Sequence, residues 1–248
     1  MMHLLSIEWL KLKRLTTLKV ILMVYAVLLP FIFYLLSLTE WYGLAYDESI
    51  YMFPDVYHYV TYISSWFNLI LGVIIVVFTL NELKFRTQRQ NMIDGLSKRE
   101  IILSKFYVVT LMSVAITLYT FLIAVCFAFA NGGTDIFEGI RYIGFYLIST
   151  FGYFIFAFFL ANLLKNPSLA IVFYLLSTFL EGIIGLIPSL KDYAQFFPLS
   201  TFGNLIPPPI IPDVYPYALT EIETAGLGFV YVLIFMLLSY WILKKRDV

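Results

Sequence analysis

Glu181 is the sharpest single candidate for chemistry in this chain, because its carboxylate lies within an otherwise apolar stretch. An acidic side chain at membrane depth is costly, and it is a candidate for a substrate pathway or a proton relay. Gly182 and Gly185 follow it and would let a neighbouring helix approach closely. The simpler interpretation is that Glu181 lies near the end of its helix, where it reaches water or pairs with Arg141 or Lys191.

A second group of candidates is charged and lies in residues 82–105, here called the basic loop. Glu82, Arg86 and Arg89 recur at i, i+4 and i+7, so they share one face of a helix. Glu82 and Arg86 also have the spacing at which opposite charges pair along a helix. A short charged helix of this kind is suited to docking a soluble partner.

The second half of the basic loop predicts a break followed by a new helix. Gly95 is a typical helix end, because glycine readily adopts the left-handed conformation that closes a helix. Ser97 and Glu100 match a capping box, in which each residue satisfies a backbone donor of the other. The basic loop therefore predicts one helix, a sharp turn and a second helix that begins after Ser97.

Six apolar segments position these residues. Charged residues make up 13% of the chain, against roughly 25% in a soluble domain. A membrane-crossing helix needs about 20 apolar residues. The candidate spans are 20–38, 60–80, 106–130, 142–164, 168–188 and 225–243. We therefore predict an all-α integral membrane protein, one transmembrane domain over residues 1–248, with a kink in the first span at Pro30.

The distribution of charge orients these spans. All but two of the 16 Lys and Arg residues fall on one side of the segments, and only Arg141 and Lys191 fall on the other. Basic residues stay on the cytoplasmic side during membrane insertion. Both termini and the basic loop are therefore predicted to be cytoplasmic. The loops on the opposite side of the membrane are rich in Asp and Glu and are predicted to lie outside the cell membrane.

Two further segments lie beside the spans. Residues 1–17 mix apolar and basic positions around Trp9, which predicts an amphipathic helix in the cytoplasmic interface. Residues 189–224 are apolar but contain most of the prolines, and proline interrupts long helices. They predict short helices or a re-entrant piece packed on the outer face before the last span.

Other site chemistries find little support in the sequence. The two histidines, His3 and His58, fall on opposite sides of the predicted membrane, which disfavours a histidine metal site and a Ser/His intramembrane protease. The single cysteine, Cys126, lies in a span and is interpreted as a packing residue. No glycine belongs to a G-x-x-x-x-G-K-[ST] phosphate loop, so ATPase activity is expected elsewhere.

Together these features resemble ABC-2 type ABC-transporter permeases, and the match in topology covers essentially the whole chain. The family's loose pattern is an acidic residue, a basic–Thr pair, a turn, a Ser–basic pair and a lysine entering span three. This sequence offers Glu82, Arg86, Thr87, Asp94, Gly95, Ser97, Lys98, Arg99 and Lys105. Arg-Thr stands where the family commonly has Gly-Thr, and Gly95 stands where it commonly has a turn proline. The chain also resembles permeases of Bacteroidetes-type bacteria.

The resemblance implies a mechanism and a set of partners. Such permeases dimerise, with a second copy or a sister permease, and pair with two cytosolic ATPase subunits. The basic loop would be the coupling helix on which the ATPase docks, with Arg89 on the same face as Glu82 and Arg86. ATP and Mg²⁺ would bind the ATPase and not this chain, and the other contacts would be with membrane lipid and not with nucleic acid. The implied location is the bacterial inner membrane.

The sequence leaves the function open between three classes. The first is the membrane subunit of an exporter of lipid, peptide, drug or polysaccharide, or a related permease that protects its own cell against antimicrobial peptides. The second is a stand-alone channel or ion-coupled carrier, which usually shows internal repeats that this chain lacks. The third is an intramembrane enzyme, for which the chain offers no plausible catalytic groups.

Overall fold

The chain folds into a bundle of long apolar helices. The computed structural model describes residues 8, 10–36, 48–84, 93, 96–187, 189–209 and 219–245. The helices are α1 (Thr16–Leu36), α2 (Asp55–Ser65), α3 (Asn68–Lys84), α4 (Lys98–Ala130), α5 (Arg141–Leu164), α6 (Pro167–Gly185), α7 (Lys191–Ala194), α8 (Pro198–Asn204) and α9 (Glu221–Lys245). A 3₁₀ turn, Glu48–Tyr51, precedes α2.

The predicted membrane architecture is confirmed. Helices α1, α4, α5, α6 and α9 are each long and apolar enough to cross a membrane. Helices α2 and α3 meet the same criteria as a bent pair, so the bundle has up to six spans. One end of this bundle carries the basic loop and is called the basic end; the opposite end carries the Asp- and Glu-rich loops and is called the acidic end.

Helix α5 lies at the centre of the bundle. It packs against α2, α3, α4, α6, α8 and α9. Of its span 67% is buried, against 11% of the span of α6. Helices α1, α6 and α9 leave most of their apolar side chains on the surface, as expected of helices that face lipid.

A connection of two residues, Lys165 and Asn166, joins α5 to α6, one residue shorter than the gap between the predicted spans 142–164 and 168–188. Lys165 ends α5 in the left-handed conformation, with φ of 55°. The Asn166 side chain then accepts hydrogen bonds from the backbone N–H groups of Ser168 and Leu169. Pro167 occupies the first helical position, where its missing N–H has no helical partner to lose. The two helices therefore form a tight antiparallel hairpin.

The second span is broken, which corrects the continuous helix predicted over residues 60–80. The break lies at Trp66 and Phe67, and the axes of α2 and α3 differ by 49°. No proline or glycine stands there. The hydroxyls of Thr61 and Ser65 instead donate to backbone carbonyls one turn earlier, and such bonds often bend helices.

A hydrogen bond from another helix replaces the one that the proline of the first span cannot make. Helix α1 continues through Pro30, which has no N–H to donate to the carbonyl of Ala26 four residues earlier. The hydroxyl of Tyr119 on α4 donates to that carbonyl at 2.6 Å. A bond between helices thus takes the place of the missing bond within the helix.

The segment before the last span contains the predicted short helices, α7 and α8, in its described part. Helix α8 packs on α5, α6 and α9. Its side chains Leu199 and Phe202 are buried, as is Ile206 just beyond it. Residues 198–206 are therefore packed structure and not a solvated coil.

Candidate functional site

Within the basic loop the structure describes residues 82–84, 93 and 96–105. Glu82 lies in α3, which continues to Lys84. Ser97, Lys98 and Arg99 lie at the start of α4, where the Arg99 side chain is exposed. The other candidates fall outside the described residues, and their predicted docking role stays a prediction. They are Arg86, Thr87, Arg89, Asp94 and Gly95.

The predicted capping box at the end of the basic loop is confirmed. The Ser97 N–H donates to Glu100 Oε2 at 2.8 Å, and the Ser97 hydroxyl donates to the same oxygen at 2.7 Å. The Glu100 N–H donates back to Ser97 Oγ at 3.3 Å. These bonds set the residue at which α4 begins, within the basic loop.

Helix α4 is longer than a membrane requires. Its 33 residues, at about 1.5 Å per residue, extend for about 50 Å. The hydrocarbon core of a bilayer is about 30 Å thick. Helix α4 is therefore about 20 Å longer than the hydrocarbon core is thick.

A buried ion pair fastens the N-terminal segment to the start of α4. The Lys105 ammonium lies 2.8 Å from Glu8 Oε2, and the Lys11 ammonium lies 3.2 Å from Glu8 Oε1. The Ser104 hydroxyl donates to the same carboxylate. Glu8 is 3% exposed and Lys105 is 2% exposed. The Lys105 ammonium also lies 4.7 Å from the centre of the Phe78 ring, so the end of α3 takes part in the junction.

This junction shows a residue that sequence reasoning missed. Burial by itself would raise the pKa of the Glu8 carboxyl, but the nearby ammonium groups of Lys105 and Lys11 outweigh it and lower that pKa. The one local signal was the spacing of Glu8 and Lys11, three residues apart in a predicted helix. The partner that buries the carboxylate, Lys105, is 97 residues away.

The comparison with known proteins shows the family of the chain. The model of the family described as ABC-2 family transporter protein matches residues 4–188, which is three quarters of the chain and includes the whole basic loop. The chain belongs to the ABC-2 family. No curated protein sequence matches it significantly. An ABC-2 protein is a permease subunit of an ABC transporter, and such permeases generally work with a cytosolic ATPase.

In this ABC-2 protein Glu181 caps another helix. The backbone N–H of Ser200 donates to Glu181 Oε2 at 2.7 Å, and the Ser200 hydroxyl donates to it at 3.0 Å. Ser200 lies in the first turn of α8, whose N–H groups have no helical partners. Arg141, expected as a possible partner of Glu181, lies 3.6 Å from Glu221 instead. The geometry gives Glu181 a structural contact and leaves its predicted place in a substrate pathway untested.

The acidic end of the permease contains an open cleft of about 530 Å³. The carboxylates of Asp55 and Glu138 line it beside the apolar side chains of Phe137 and Ile140. Arg141 is the basic residue in its wall, and its guanidinium is paired with Glu221. The described part of the chain brings no three His, Cys, Asp or Glu side chains together in a way that could hold a metal ion.

The proline-rich segment is fastened close to this cleft. His58 on α2 donates through Nε2 to the carbonyl of Pro207 at 2.8 Å. The His58 ring also stacks on the Tyr142 ring, with centres 4.2 Å apart and planes within 3°. His58 therefore holds the segment to α2 and α5.

Proposed function

We propose that this chain is the permease subunit of an ATP-driven exporter in the bacterial inner membrane, with both termini in the cytoplasm. Two cytosolic ATPase subunits bind ATP and Mg²⁺ and dock on the basic loops of two permease chains. The second permease is another copy of this chain or a sister protein. The cargo is a lipid, a peptide, a drug or a polysaccharide.

The observation that carries this proposal is the set of contacts that hold the start of α4, next to the basic loop, in a chain of this family. The capping box fixes the residue at which α4 begins within the basic loop. The Glu8–Lys105 ion pair holds the first turns of α4 against the N-terminal segment and Phe78. A partner that pushes on the loop therefore pushes on a rigid junction of three segments. That rigidity suits a loop that passes movement from an ATPase to the spans.

Co-purification tests the proposal directly. The tagged chain is expressed with the proteins encoded beside its gene, extracted in detergent and assayed for ATP hydrolysis. We expect an ATPase subunit to co-purify and to hydrolyse ATP. A folded oligomer that purifies without any ATPase would favour the stand-alone channel or carrier.

A second candidate function is protection of the cell against antimicrobial peptides, and the cleft at the acidic end favours it. Asp55 and Glu138 have no ion-pair partner among the described residues, and apolar side chains lie beside them. A cationic amphipathic peptide complements such a surface in both charge and polarity.

This second candidate is tested with a deletion strain and two double variants. Loss of the gene should increase sensitivity to cationic peptides, and the wild-type gene should restore resistance. Asp55→Asn with Glu138→Gln should restore it poorly. Asp192→Asn with Glu223→Gln, which removes the same charge at positions that do not line the cleft, should restore it fully. Equal resistance with both double variants would exclude the cleft as the peptide site.

A further inference from the structure

A network of buried hydroxyl groups surrounds the break in the second span. The Tyr25 hydroxyl lies 2.6 Å from Ser64 Oγ and 2.7 Å from Thr120 Oγ1. The Ser64 hydroxyl donates to the Tyr146 hydroxyl at 2.6 Å. These four side chains come from α1, α2, α4 and α5, and each is at most 3% exposed. The outer side of the break is therefore hydrogen-bonded to three other helices.

The inner side of the break is held by a second set of bonds. Asn68, the first residue of α3, accepts from the Thr150 hydroxyl through Oδ1 at 3.2 Å. The Tyr174 hydroxyl of α6 donates to the Asn68 carbonyl at 3.1 Å. This close approach requires Gly72, since a Cβ there would lie 2.0 Å from the Tyr174 hydroxyl. Helix α5 bonds to both halves of the span, because the Tyr146 hydroxyl that accepts from Ser64 also lies 3.5 Å from Asn68 Oδ1.

The network is not saturated. Asn68 is completely buried, yet its Nδ2 has no hydrogen-bond partner among the described residues. A buried donor without an acceptor is unfavourable by about 1–3 kcal/mol. The arrangement described here therefore leaves Asn68 able to gain a bond when the helices move.

The two halves of the span differ in the parts of the molecule to which they are attached. Helix α2 is fixed at the acidic end, where the Tyr57 hydroxyl donates to the Ile136 carbonyl and His58 donates to Pro207. Helix α3 runs directly into the basic loop, and its residue Phe78 packs on Lys105 at the start of α4. A displacement of the basic loop therefore reaches α3 directly, whereas it reaches α2 only through other helices such as α4, to which Ser64 bonds.

We propose that the break at Trp66 and Phe67 is a hinge of the transport cycle, latched by the hydroxyl network. Helix α2 stays with the outer part of the bundle, and α3 swings with the basic loop when the ATPase binds nucleotide. Tyr25, Ser64, Thr120 and Tyr146 are positioning residues that hold the resting bend. This inference rests on the proposed function, because the ATPase supplies the displacement.

Spin-label distances across the hinge test the proposal in the complex with the co-purified ATPase. Labels are placed at Asp55→Cys and Val77→Cys, after the native cysteine is removed by Cys126→Ser. We expect the distance between them to lengthen by about 2–3 Å on addition of ATP as the 49° bend straightens, because each label lies about 15 Å from the hinge along its helix. The control pair, Leu111→Cys and Leu122→Cys, lies within α4 and should not shift.

Two variants on one helix face separate a latch from a general packing role. Thr120→Val removes a hydroxyl that bonds to Tyr25 and Ser64, whereas Thr117→Val removes a buried hydroxyl that has no described partner. Without nucleotide, Thr120→Val should raise the fraction of molecules at the ATP-bound distance about 3- to 10-fold, the equivalent of one hydrogen bond between helices in a membrane. Thr117→Val should leave that fraction unchanged, and Thr120→Ser, which keeps the hydroxyl, should restore the wild-type value.

The outcomes distinguish this inference from the function on which it rests. A complex that hydrolyses ATP while the distance between positions 55 and 77 stays constant would overturn the hinge alone. Equal effects of Thr120→Val and Thr117→Val would overturn the latch. If no ATPase binds the chain, the proposed function fails, and the nucleotide-driven hinge fails with it.

Discussion

Glu8 and Lys105 carry opposite charges where almost no water reaches them. Removing one member of a buried pair leaves an uncompensated charge and costs about 3–5 kcal/mol. We therefore expect Glu8→Gln to destabilise the protein strongly in detergent, because it removes the carboxylate that the buried Lys105 ammonium faces. The double variant Glu8→Gln with Lys105→Met should recover most of the loss, because neither charge then remains. Thermal unfolding measures both, and an equally unstable double variant would show that the charges are not the cause.

The same pair gives stability a dependence on pH. The pKa of Glu8 is lower in the folded protein than its ordinary value, so the unfolded chain binds the proton more readily. The stabilisation is therefore present above the ordinary carboxyl pKa and is lost as the pH falls through the lower pKa of the folded state. The unfolding temperature of the wild type should fall in this range relative to that of the double variant.

Tyr119 supplies the donor that Pro30 withholds from the Ala26 carbonyl. Tyr119→Phe should cost about 1–3 kcal/mol, because the carbonyl loses its hydrogen bond. The loss should be smaller in a Pro30→Ala background, where residue 30 regains its N–H. Tyr193→Phe, which changes an exposed tyrosine, serves as the control. Equal losses with and without Pro30 would show that Tyr119 matters through packing alone.

Glu181 has two roles to separate, the cap on α8 and the predicted part in a substrate pathway. Glu181→Gln keeps an oxygen acceptor for the Ser200 N–H but removes the charge. We expect transport to fall while the unfolding temperature changes little, if the pathway role holds. Ser200→Ala removes the hydroxyl bond and leaves the carboxylate, so it should spare transport. Normal transport by Glu181→Gln at normal expression would leave only the capping role.

Among the elements, α8 depends on a glycine of α5. A Cβ at Gly152 would lie 2.3 Å from the ring of Phe202, so an alanine there forces α8 away from α5. Such overpacking costs about 1–3 kcal/mol. Gly152→Ala should therefore expose α8 to protease, which limited proteolysis measures. Gly144→Ala, in the same helix with open space around it, is the matched control.

Hydropathy and capping patterns were sufficient to predict most elements. The long spans follow from apolar length, and the start of α4 follows from Ser97 and Glu100, because both signals are local in sequence. The break of the second span was missed, since it contains neither proline nor glycine. The Thr61 and Ser65 hydroxyls that bond within the helix give only a weak signal, and the bonds that hold the break, such as that from Ser64 to Tyr146, join residues distant in sequence. The partner of Glu8 was missed for the same reason. Contacts between residues distant in sequence leave no periodic signal.

At the scale of the whole molecule, the basic loop is the proposed contact with the ATPase. Charge reversal by Arg86→Glu with Arg89→Glu should uncouple the ATPase, because like charges at an interface cost several kcal/mol. We expect recovery of the ATPase in co-purification to fall at least about tenfold, the equivalent of 1.4 kcal/mol. The spans should stay folded, as thermal unfolding would show.

The control for this variant is Lys244→Glu with Lys245→Glu, which changes the charge by the same amount in the last turn of α9. It should leave ATPase recovery near the wild-type level. Normal recovery with the Arg86 and Arg89 variant would show that the basic loop is not the dock.

The two-residue turn from α5 to α6 also bears on how the protein is inserted into the membrane. Helix α5 is the most enclosed span, and its buried side chains include Ser149, Thr150 and Asn162, which are poorly suited to lipid. Helix α6 is apolar almost all round and follows after only Lys165 and Asn166. If α5 and α6 enter the bilayer together during synthesis, α6 covers one face of α5 and keeps its polar side chains from lipid. Lengthening this turn should therefore lower the yield of inserted protein more than it lowers the stability of the chains that do insert.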